Sequence, residues 1–255
     1  MNNKTIIVDI GNSFISVGIF TDMQLTHRLD INSSITDVAH VEKTLQQFFD
    51  KNKFATKDMM GGLICSVVPM YSRSLQKAIK NVFGIEVPIM DSSYNSQIKM
   101  LVDDPNEVGG DIVADVKAAN ILYGGSCIVI DLGTITKNIV LDKEGVFIGT
   151  SFFPGVQVCM DVMREKTALL PGFEIDKKPK KLLGNNTIEA MQSGVYYGTI
   201  DAIISLCRHI EKEIGYPLKK ILTGGNSKIF KELEGEFIID QDLVLKGIYY
   251  LYRDR

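Results

Sequence analysis

The chain has 255 residues, of which 45% are hydrophobic and 23% are charged, and its formal net charge at pH 7 is −3. This composition is typical of a globular protein, long enough for one large domain or two smaller ones. The slight acidic excess argues against a nucleic-acid partner, and no apolar stretch approaches the roughly 18 residues of a membrane span, so we expect no membrane partner.

The apolar pattern of the first half predicts three consecutive strands, followed by helices that alternate with short strands. Strands are expected over residues 5–10, 13–20, 23–31, 62–67 and 85–89, and helices over 37–52 and 72–82. Thr36 and Asp37 are the candidate N-caps of the first helix. A helix is also expected from Ile112 onwards.

The second half repeats this order, with three strands before the helices. Strands are expected over residues 127–132, 136–141, 146–153, 219–223 and 236–239, and helices over 155–170, 187–214 and 242–252. The Lys- and Gly-rich loop 171–186 is predicted to be a flexible surface segment. The alternation predicts an α/β fold with mixed sheets.

The cysteines and the N-terminus bear on the cellular compartment. The four cysteines are scattered without a Cys-x-x-Cys pair, and none of the three histidines is close to a cysteine in sequence. A structural zinc site is therefore not expected. Because no signal peptide precedes the first strand, we expect a cytoplasmic protein with reduced, mostly buried thiols.

Two segments of the chain resemble each other. Residues 6–20 (IIVDIGNSFISVGIF) and 128–142 (IVIDLGTITKNIVLD) both have three apolar residues, an aspartate, an apolar residue and a glycine. Asp9 and Asp131 are separated by about half the chain. The repeat predicts two related lobes, residues 1–124 and 125–255, with the boundary at a Gly-Gly pair.

Each copy of the repeat places an aspartate near the end of a strand, with a glycine turn after it. Glycine lets the backbone approach a ligand closely, and the hydroxyl and amide groups that follow can donate to a phosphate. A third glycine turn, TGGN at 223–226, is suited to the sugar or base of a nucleotide. One Asp-x-Gly turn is usually a plain hairpin, but two at matching positions together with TGGN predict a nucleotide site. The chain has no Walker A motif, which disfavours a P-loop enzyme.

The three turns resemble the phosphate-1, phosphate-2 and adenosine motifs of the actin, sugar-kinase and heat-shock ATPase superfamily. The resemblance implies an actin-like ATPase fold of two duplicated ribonuclease H-like lobes with mixed sheets. In that superfamily the two lobes close on one nucleotide.

Further motifs narrow the resemblance to the type III pantothenate kinases, over nearly the whole chain. They are CSVVP at 65–69, PNEVGGD at 105–111, PG at 154–155, LP at 170–171, GNNT at 184–187, AMQSG at 190–194, YG at 197–198 and LVLKG at 243–247. The family resemblance implies ATP-dependent phosphorylation of pantothenate to 4'-phosphopantothenate, the first step of coenzyme A biosynthesis. It also implies a homodimer, for which GVYYG at 194–198 offers small residues on a helix; the alternative is tight packing of that helix within one subunit.

The resemblance assigns roles by matching position. Asp111 falls at the catalytic base, although its residue type alone also suits a helix N-cap, or both roles at once. Asp131 falls at the ligand of a monovalent cation, K⁺ or NH₄⁺, and Asp9 is placed to hold, through water, the Mg²⁺ that accompanies ATP. ATP contacts are expected for Asp9, Ile10, Gly11, Asn12, Ser13, Phe14, Ile15, Ser16, Gly133, Thr134, Gly224 and Gly225, and pantothenate contacts for Gly109, Gly110, Ile112 and Thr187.

The chain departs from the family pattern in two motifs. Gly-Ala-Asp-Arg becomes Gly-Gly-Asp-Ile, so that Ile112 stands where an arginine would bind the substrate carboxylate. Gly-Thr-Ala-Thr-Thr-Phe-Asp becomes GTITKNI, in which Lys137 replaces a hydroxyl and Ile139 an acid. Lys137 is either a solvated strand residue or a compensating charge near the phosphates or the substrate carboxylate. A few residues upstream of Asp111, Val102 stands where the family often has an aromatic residue on the substrate side.

These departures leave three hypotheses open. The first is an active pantothenate kinase. The second is a catalytically weak or silent relative that acts by binding, for example as a regulatory accessory protein. The third is a kinase of the same superfamily that acts on another small hydroxyl compound.

Overall fold

The computed structural model describes residues 3–33 and 37–255. The chain divides into a first unit, Met1–Leu122 with Leu243–Arg255, and a second unit, Tyr123–Asp242. In chain order, the strands and α-helices of the described residues are β1 (Lys4–Ile10), β2 (Phe14–Thr21), β3 (Gln24–Asn32), α1 (Val38–Lys51), β4 (Met59–Ser66), α2 (Pro69–Phe83), α3 (Gly110–Tyr123), β5 (Cys127–Leu132), β6 (Ile135–Leu141), β7 (Phe147–Pro154), α4 (Val156–Glu165), α5 (Thr187–Ile214), β8 (Lys219–Thr223), β9 (Ile238–Ile239) and α6 (Leu243–Arg253).

Each unit is built on one mixed sheet, and the two sheets share a pattern of pairing. The order is β3-β2-β1-β4 in the first unit and β7-β6-β5-β8-β9 in the second. In the first, β1 is antiparallel to β2 and parallel to β4. In the second, β5 is antiparallel to β6 and parallel to β8. The α/β class with mixed sheets is thus confirmed, and each Asp-x-Gly segment lies at the end of a corresponding strand.

The sheet of the first unit is buried on both faces. Ile6 and Val8 of β1 pack in the core cluster that includes side chains of α1 and α2. Ile7 packs on the opposite side with α3 and α6, where the rings of Phe20 and Tyr249 stack at 4.3 Å. Because both faces are covered, most of β1 reads as a continuous apolar run. The tyrosines of α6 therefore serve packing.

In the second unit, α4 and α5 pack against one face of the sheet. Ile128, Ile130 and Leu132 of β5 supply the strand side of this core. At the start of α5 the Asn186 side chain accepts from the Glu189 amide at 2.9 Å, and the helix ends before Gly215. This N-cap satisfies one of the helix's unpaired amides. The predicted helix 187–214 is confirmed at both ends.

Some predicted elements were wrong in kind or length. Residues 85–89 form a single bridge, between Ile64 and Ile89, instead of a strand. Pro88 has no amide proton to continue a ladder, and the Val87 carbonyl accepts from Gln76 Nε2 at 2.7 Å. The helix expected to reach residue 170 ends at Glu165.

Local hydrogen bonds account for the helix ends. Beyond α4, the Thr167 hydroxyl donates to the Met163 carbonyl at 2.6 Å, which occupies an acceptor of the last turn. At the start of α1, the Asp37 carboxylate accepts from the Ala39 amide at 2.9 Å, which confirms this cap. The other candidate, Thr36, lies outside the described residues. In β9 only two residues pair, so the last strand is shorter than the expected 236–239.

The C-terminal helix α6 belongs to the first unit, whereas the sequence placed residues 125–255 together. Its Leu245 and Ile248 are buried in the same cluster as Ile7. Gly247 lies directly on the Ala114 carbonyl of α3, where a side chain would have no room. The apolar spacing of this helix indicates which face is buried, but not which sheet buries it.

We expect Gly247→Ala to lower the midpoint of urea unfolding, with a cost of about 1–3 kcal/mol. The new methyl group would press on the backbone oxygen of Ala114, which cannot yield without moving α3. Gly172→Ala is the control, since its Cβ would make only an ordinary contact at 3.6 Å to Arg164. Equal losses of stability in the two variants would contradict this packing.

Candidate functional site

The first glycine turn joins β1 to β2. The Gly11 amide donates to the Phe14 carbonyl at 2.9 Å, and the Ser33 hydroxyl donates to the Gly11 carbonyl at 2.9 Å. Asn12 and Phe14 are exposed, whereas Ile10 and Ile15 are buried in the core. The turn therefore presents the backbone of residues 11–13 and the Asn12 side chain, and Ile10 and Ile15 serve packing.

A cavity of about 140 Å³ opens beside this turn. Gly11 and Asn12 form part of its wall, and Val41 and Tyr71 contribute from α1 and α2. The wall is mostly apolar, so polar ligand groups at this end would meet the turn itself.

The residue opposite Asp9 on β2 is Ser16. Its side chain is largely buried, and its hydroxyl donates to Asp30 Oδ1 at 2.7 Å. Asp9 thus has a neutral cross-strand neighbour. Asp30 was not expected to take part in this region; the alternation of side chains along β3 was the available signal.

The second glycine turn, Gly133-Thr134, joins β5 to β6 and is enclosed by two other glycine segments. The Gly155 amide donates to the Thr134 carbonyl at 3.0 Å, and the Asn226 amide donates to the Leu132 carbonyl at 3.2 Å. Gly224 has φ +87°, and a Cβ there would lie 2.5 Å from Asp131 Oδ1 and 2.6 Å from the Leu132 amide nitrogen. Only glycine fits this approach. The structure therefore brings the second phosphate motif, Pro154-Gly155 and TGGN together.

Asp131 forms an ion pair across the hairpin with Lys137. The Lys137 Nζ lies 2.6 Å from Asp131 Oδ2, and only 13% and 15% of the two side chains are exposed. The two residues are direct register partners on β6 and β5. Lys137 is therefore not a solvated strand residue but a charge held at the second turn.

Thr223 on β8 is the neighbour of Asp131 on the side opposite Lys137. It pairs with Asp131 in the parallel ladder, so the three side chains share one face of the sheet. The Thr223 hydroxyl is buried and has no hydrogen-bond partner among the residues that the structure describes. Sequence reasoning singled out the glycines of TGGN and not this hydroxyl.

Asp111 lies in the first turn of α3, which begins at Gly110. It is therefore not the N-cap, and its Oδ1 accepts from the adjacent Ile112 amide at 2.9 Å. The residue is half-buried. A Cβ on Gly110 would lie 2.9 Å from Cys65 Sγ, and one on Gly109 would lie 2.8 Å from Asp111 Oδ1. The two glycines allow α3 to start against the end of β4.

The other expected acceptor contacts differ in exposure. Ile112 is 7% exposed, so a buried apolar group stands where the family pattern has arginine. Thr187 is exposed at the first residue of α5. Farther along α5, Gly194 and Gly198 are exposed, and no described atom lies within 4 Å of a Cβ built on either. Tight packing of these glycines within one subunit is therefore not observed.

A second cavity, of about 590 Å³, lies in the second unit. Gln157 and Arg164 of α4 line it, together with Phe173 and Glu174 of the loop and Asn226 of the TGGN turn. Loop 171–186 is irregular but anchored, since Gln192 Nε2 donates to the Glu174 carbonyl at 2.7 Å. A large, partly polar cavity thus adjoins the third glycine turn.

Three of the four thiols, those of Cys65, Cys127 and Cys207, are buried, and none of the four cysteines forms a disulfide. Burial raises the pKa of Cys127 to about 11 and that of Cys207 to about 12. Such thiols remain protonated and unreactive near neutral pH. Within residues 3–33 and 37–255, no group of three or more His, Cys, Asp or Glu side chains could hold a metal ion, and no helix is long and apolar enough to cross a membrane.

Solved structures share this fold. A Campylobacter jejuni protein described as belonging to the Baf family of transcriptional activators aligns with a TM-score of 0.60 at 16% identity, covering 98% of both chains. MreB5 of Spiroplasma citri bound to ADP aligns with a TM-score of 0.51 at 12% identity, covering 99% of this chain and 97% of that one. With its two mixed sheets, the protein has an actin-like ATPase fold.

Sequence comparison defines the family. Residues 5–209 match the type III pantothenate kinase profile. A type III pantothenate kinase from Dehalococcoides mccartyi is 32% identical over 99% of this chain and 98% of its own length. The chain belongs to the type III pantothenate kinase family, whose members transfer phosphate from ATP to pantothenate in coenzyme A biosynthesis.

Replacing Gly224 tests the crowding around Asp131. We expect Gly224→Ala to destabilise the protein in urea by more than Gly235→Ala. Both glycines have positive φ, +87° and +103°, but no described atom lies within 4 Å of a Cβ on Gly235. Gly235→Ala therefore incurs only the left-handed backbone cost of about 1–2 kcal/mol, and Gly224→Ala adds an overpacking cost of about 1 kcal/mol or more. Equal unfolding midpoints would contradict the close approach of Gly224 to β5.

Proposed function

We propose that this protein is an active kinase that phosphorylates pantothenate with ATP, with Asp111 as the base. The observation that supports this best is the half-buried Asp111 in the first turn of α3, beside two glycines that let the helix start pack closely against its surroundings. In this proposal Gly109, Gly110 and Thr187 contact pantothenate. Ile112 contributes only an apolar surface, because its side chain is buried.

Each glycine turn offers groups that can bind a phosphate of ATP. In the first unit Asn12 and Ser13 present backbone and side-chain donors after β1, and in the second unit Gly133 and Thr134 present the matching turn after β5. Such turns bind anions through backbone amides without a large positive charge. The sugar or base would lie in the cavity beside Asn226, next to Gly224 and Gly225.

Asp111 would act on the acceptor hydroxyl. The hydroxyl oxygen attacks the γ-phosphorus, the bond from that phosphorus to the bridging oxygen breaks, ADP leaves, and the hydroxyl proton passes to Asp111. Asp111 Oδ1 accepts from the Ile112 amide, which holds the carboxyl group at the start of α3. A carboxylate there also orients the hydroxyl before transfer.

Asp9 is the proposed ligand of Mg²⁺, which accompanies ATP and neutralises charge on its phosphates. Mg²⁺ keeps several waters and commonly uses one or two carboxylates with the substrate phosphates. A single carboxylate opposite a neutral serine fits that need, and no three-residue cage is found among the described residues. The monovalent cation expected at Asp131 fits less well, because Lys137 already contacts that carboxylate.

A kinase for another hydroxyl compound is the second candidate, and Ile112 favours it. Pantothenate carries a carboxylate, and the position where the family has a cation to bind it is apolar and buried here. A silent relative that acts by binding is the third candidate.

Asp111→Asn is expected to reduce pantothenate-dependent ADP release by about 10²–10⁴-fold, the usual contribution of a general base. Turnover is measured by a coupled assay with Mg²⁺-ATP, and ATP binding is measured separately. Asp103→Asn is the matched control, since Asp103 is an exposed acid in the preceding loop. ATP binding without turnover on pantothenate would overturn the proposal; turnover only with another hydroxyl compound would identify the second candidate.

We propose further that the protein is a homodimer that contacts its copy through the exposed glycine face of α5. The open space around Gly194 and Gly198 supports this, because small residues allow helices to approach closely. Mostly buried thiols without disulfides are consistent with a cytoplasmic location. No nucleic-acid or membrane partner is proposed.

Light scattering after size-exclusion chromatography tests the dimer. The wild type is expected at twice the chain mass of 28.3 kDa. Gly198→Glu is expected to give a monomer, because the carboxylate would enter an apolar contact unpaired. Lys212→Glu places the same charge at an exposed position near the other end of α5 and should remain dimeric. A monomeric wild type at micromolar concentration would contradict the proposal.

A further inference from the structure

We propose that the ammonium group of Lys137 is a built-in monovalent cation at the second glycine turn, so that nucleotide binding and turnover need no added K⁺ or NH₄⁺. The ammonium carries the same charge as these ions and presents it at the Asp131 carboxylate. The role of this turn in nucleotide binding rests on the proposed function, whereas the ion pair does not.

The position of the ammonium is set by the fold. Lys137 and Asp131 are opposed in the β5–β6 ladder, and Nζ lies 2.6 Å from Oδ2. The other carboxylate oxygen, Oδ1, faces Gly224, where a Cβ would come within 2.5 Å. The carboxylate is therefore confined between a lysine on one side and a backbone turn on the other.

Because the Lys137–Asp131 ion pair is mostly buried, the ammonium charge is held at the turn. About one-seventh of each side chain is exposed, so the pair is weakly screened compared with a surface ion pair. A second cation on the same carboxylate would be repelled by the lysine at short range. An added K⁺ ion would have to displace a covalently tethered group.

The first unit provides an internal comparison. The strand position opposite Asp9 carries Ser16, which donates to Asp30. The same hairpin architecture thus forms without a lysine. A lysine opposite the aspartate is therefore not a requirement of the sheet.

The test compares the wild type with Lys137→Thr, which removes the ammonium and keeps a β-branched strand residue. Assays are run in choline chloride and in KCl or NH₄Cl at equal ionic strength. The readouts are the thermal unfolding midpoint without ligand, the Kd for Mg²⁺-ADP, and turnover. The unfolding midpoint and the Kd do not depend on which acceptor the enzyme uses.

The control is Lys220→Thr. Lys220 lies on β8 in the same sheet, with a side chain 17% exposed, and pairs with Glu236 at 3.0 Å away from the turn. This variant removes an ion pair of similar burial on the lysine side. It should lose stability equally in the two salts and keep cation-independent nucleotide binding.

The proposal predicts a wild type with the same midpoint, Kd and turnover in choline as in KCl. In choline, Lys137→Thr should bind Mg²⁺-ADP about tenfold more weakly than the wild type, and KCl should restore Kd to within about threefold. Its unfolding midpoint should also rise in KCl relative to choline.

Two results would overturn the proposal: stimulation of the wild type by K⁺, or a Lys137→Thr variant that K⁺ does not rescue. The second result would mean that the lysine acts otherwise, for example by direct phosphate contact. If pantothenate turnover is absent throughout, the proposed function fails. The midpoint and Kd measurements still decide the role of Lys137.

Discussion

The crowded backbone at the end of β5 is the constraint on which the candidate site of the second unit depends. Gly155 and Gly224 approach the β5–β6 turn so closely that neither has room for a side chain. This contact brings three distant stretches of sequence to one strand end. Without it, the Asp131 carboxylate would lose the wall that confines it, and the Lys137 ammonium would face a mobile partner.

The two glycine turns share one strand arrangement but differ in the charge of the residue opposite the aspartate. Each follows a central strand flanked by an antiparallel and a parallel neighbour. Asp9 faces a neutral serine across its hairpin, and Asp131 faces a lysine. A carboxylate with a neutral neighbour can serve a divalent ion that arrives with the nucleotide. A carboxylate with a lysine neighbour already has its counter-ion, and the pair adds no net charge to the sheet.

The sequence predicted the strands and most helices well, because periodicity and caps are local signals. The limits of α5 follow from Asn186 and Gly215, which are both visible in the sequence. The strand predicted over residues 85–89 was wrong because β-propensity does not account for the missing amide proton of Pro88. Nor does it account for the Gln76 side chain, which donates to the Val87 carbonyl. The packing of α6 on the first sheet could not be predicted, because a hydrophobic helix face does not identify the sheet that covers it.

Part of the candidate site was open to prediction as well. The Asp-x-Gly turns and TGGN are visible in the sequence, so the glycine segments could be singled out. Counting across a two-residue turn at Gly133-Thr134 would oppose Asp131 to Thr136, whereas the observed register opposes it to Lys137. The ion pair and its burial were therefore not open to prediction, since they depend on the loop register and on strands and turns from other parts of the chain. The catalytic, nucleotide and acceptor roles named for individual residues remain predictions.

The return of α6 to the first sheet has a consequence for folding during synthesis. Leu245 and Ile248 complete the cluster around Ile7, yet they emerge from the ribosome more than two hundred residues after β1. The second unit, which is continuous in sequence, can close as soon as residues 123–242 are out. The first unit must wait with that sheet face only partly covered, by α3, so the core that contains β1 is completed after the core of the second unit.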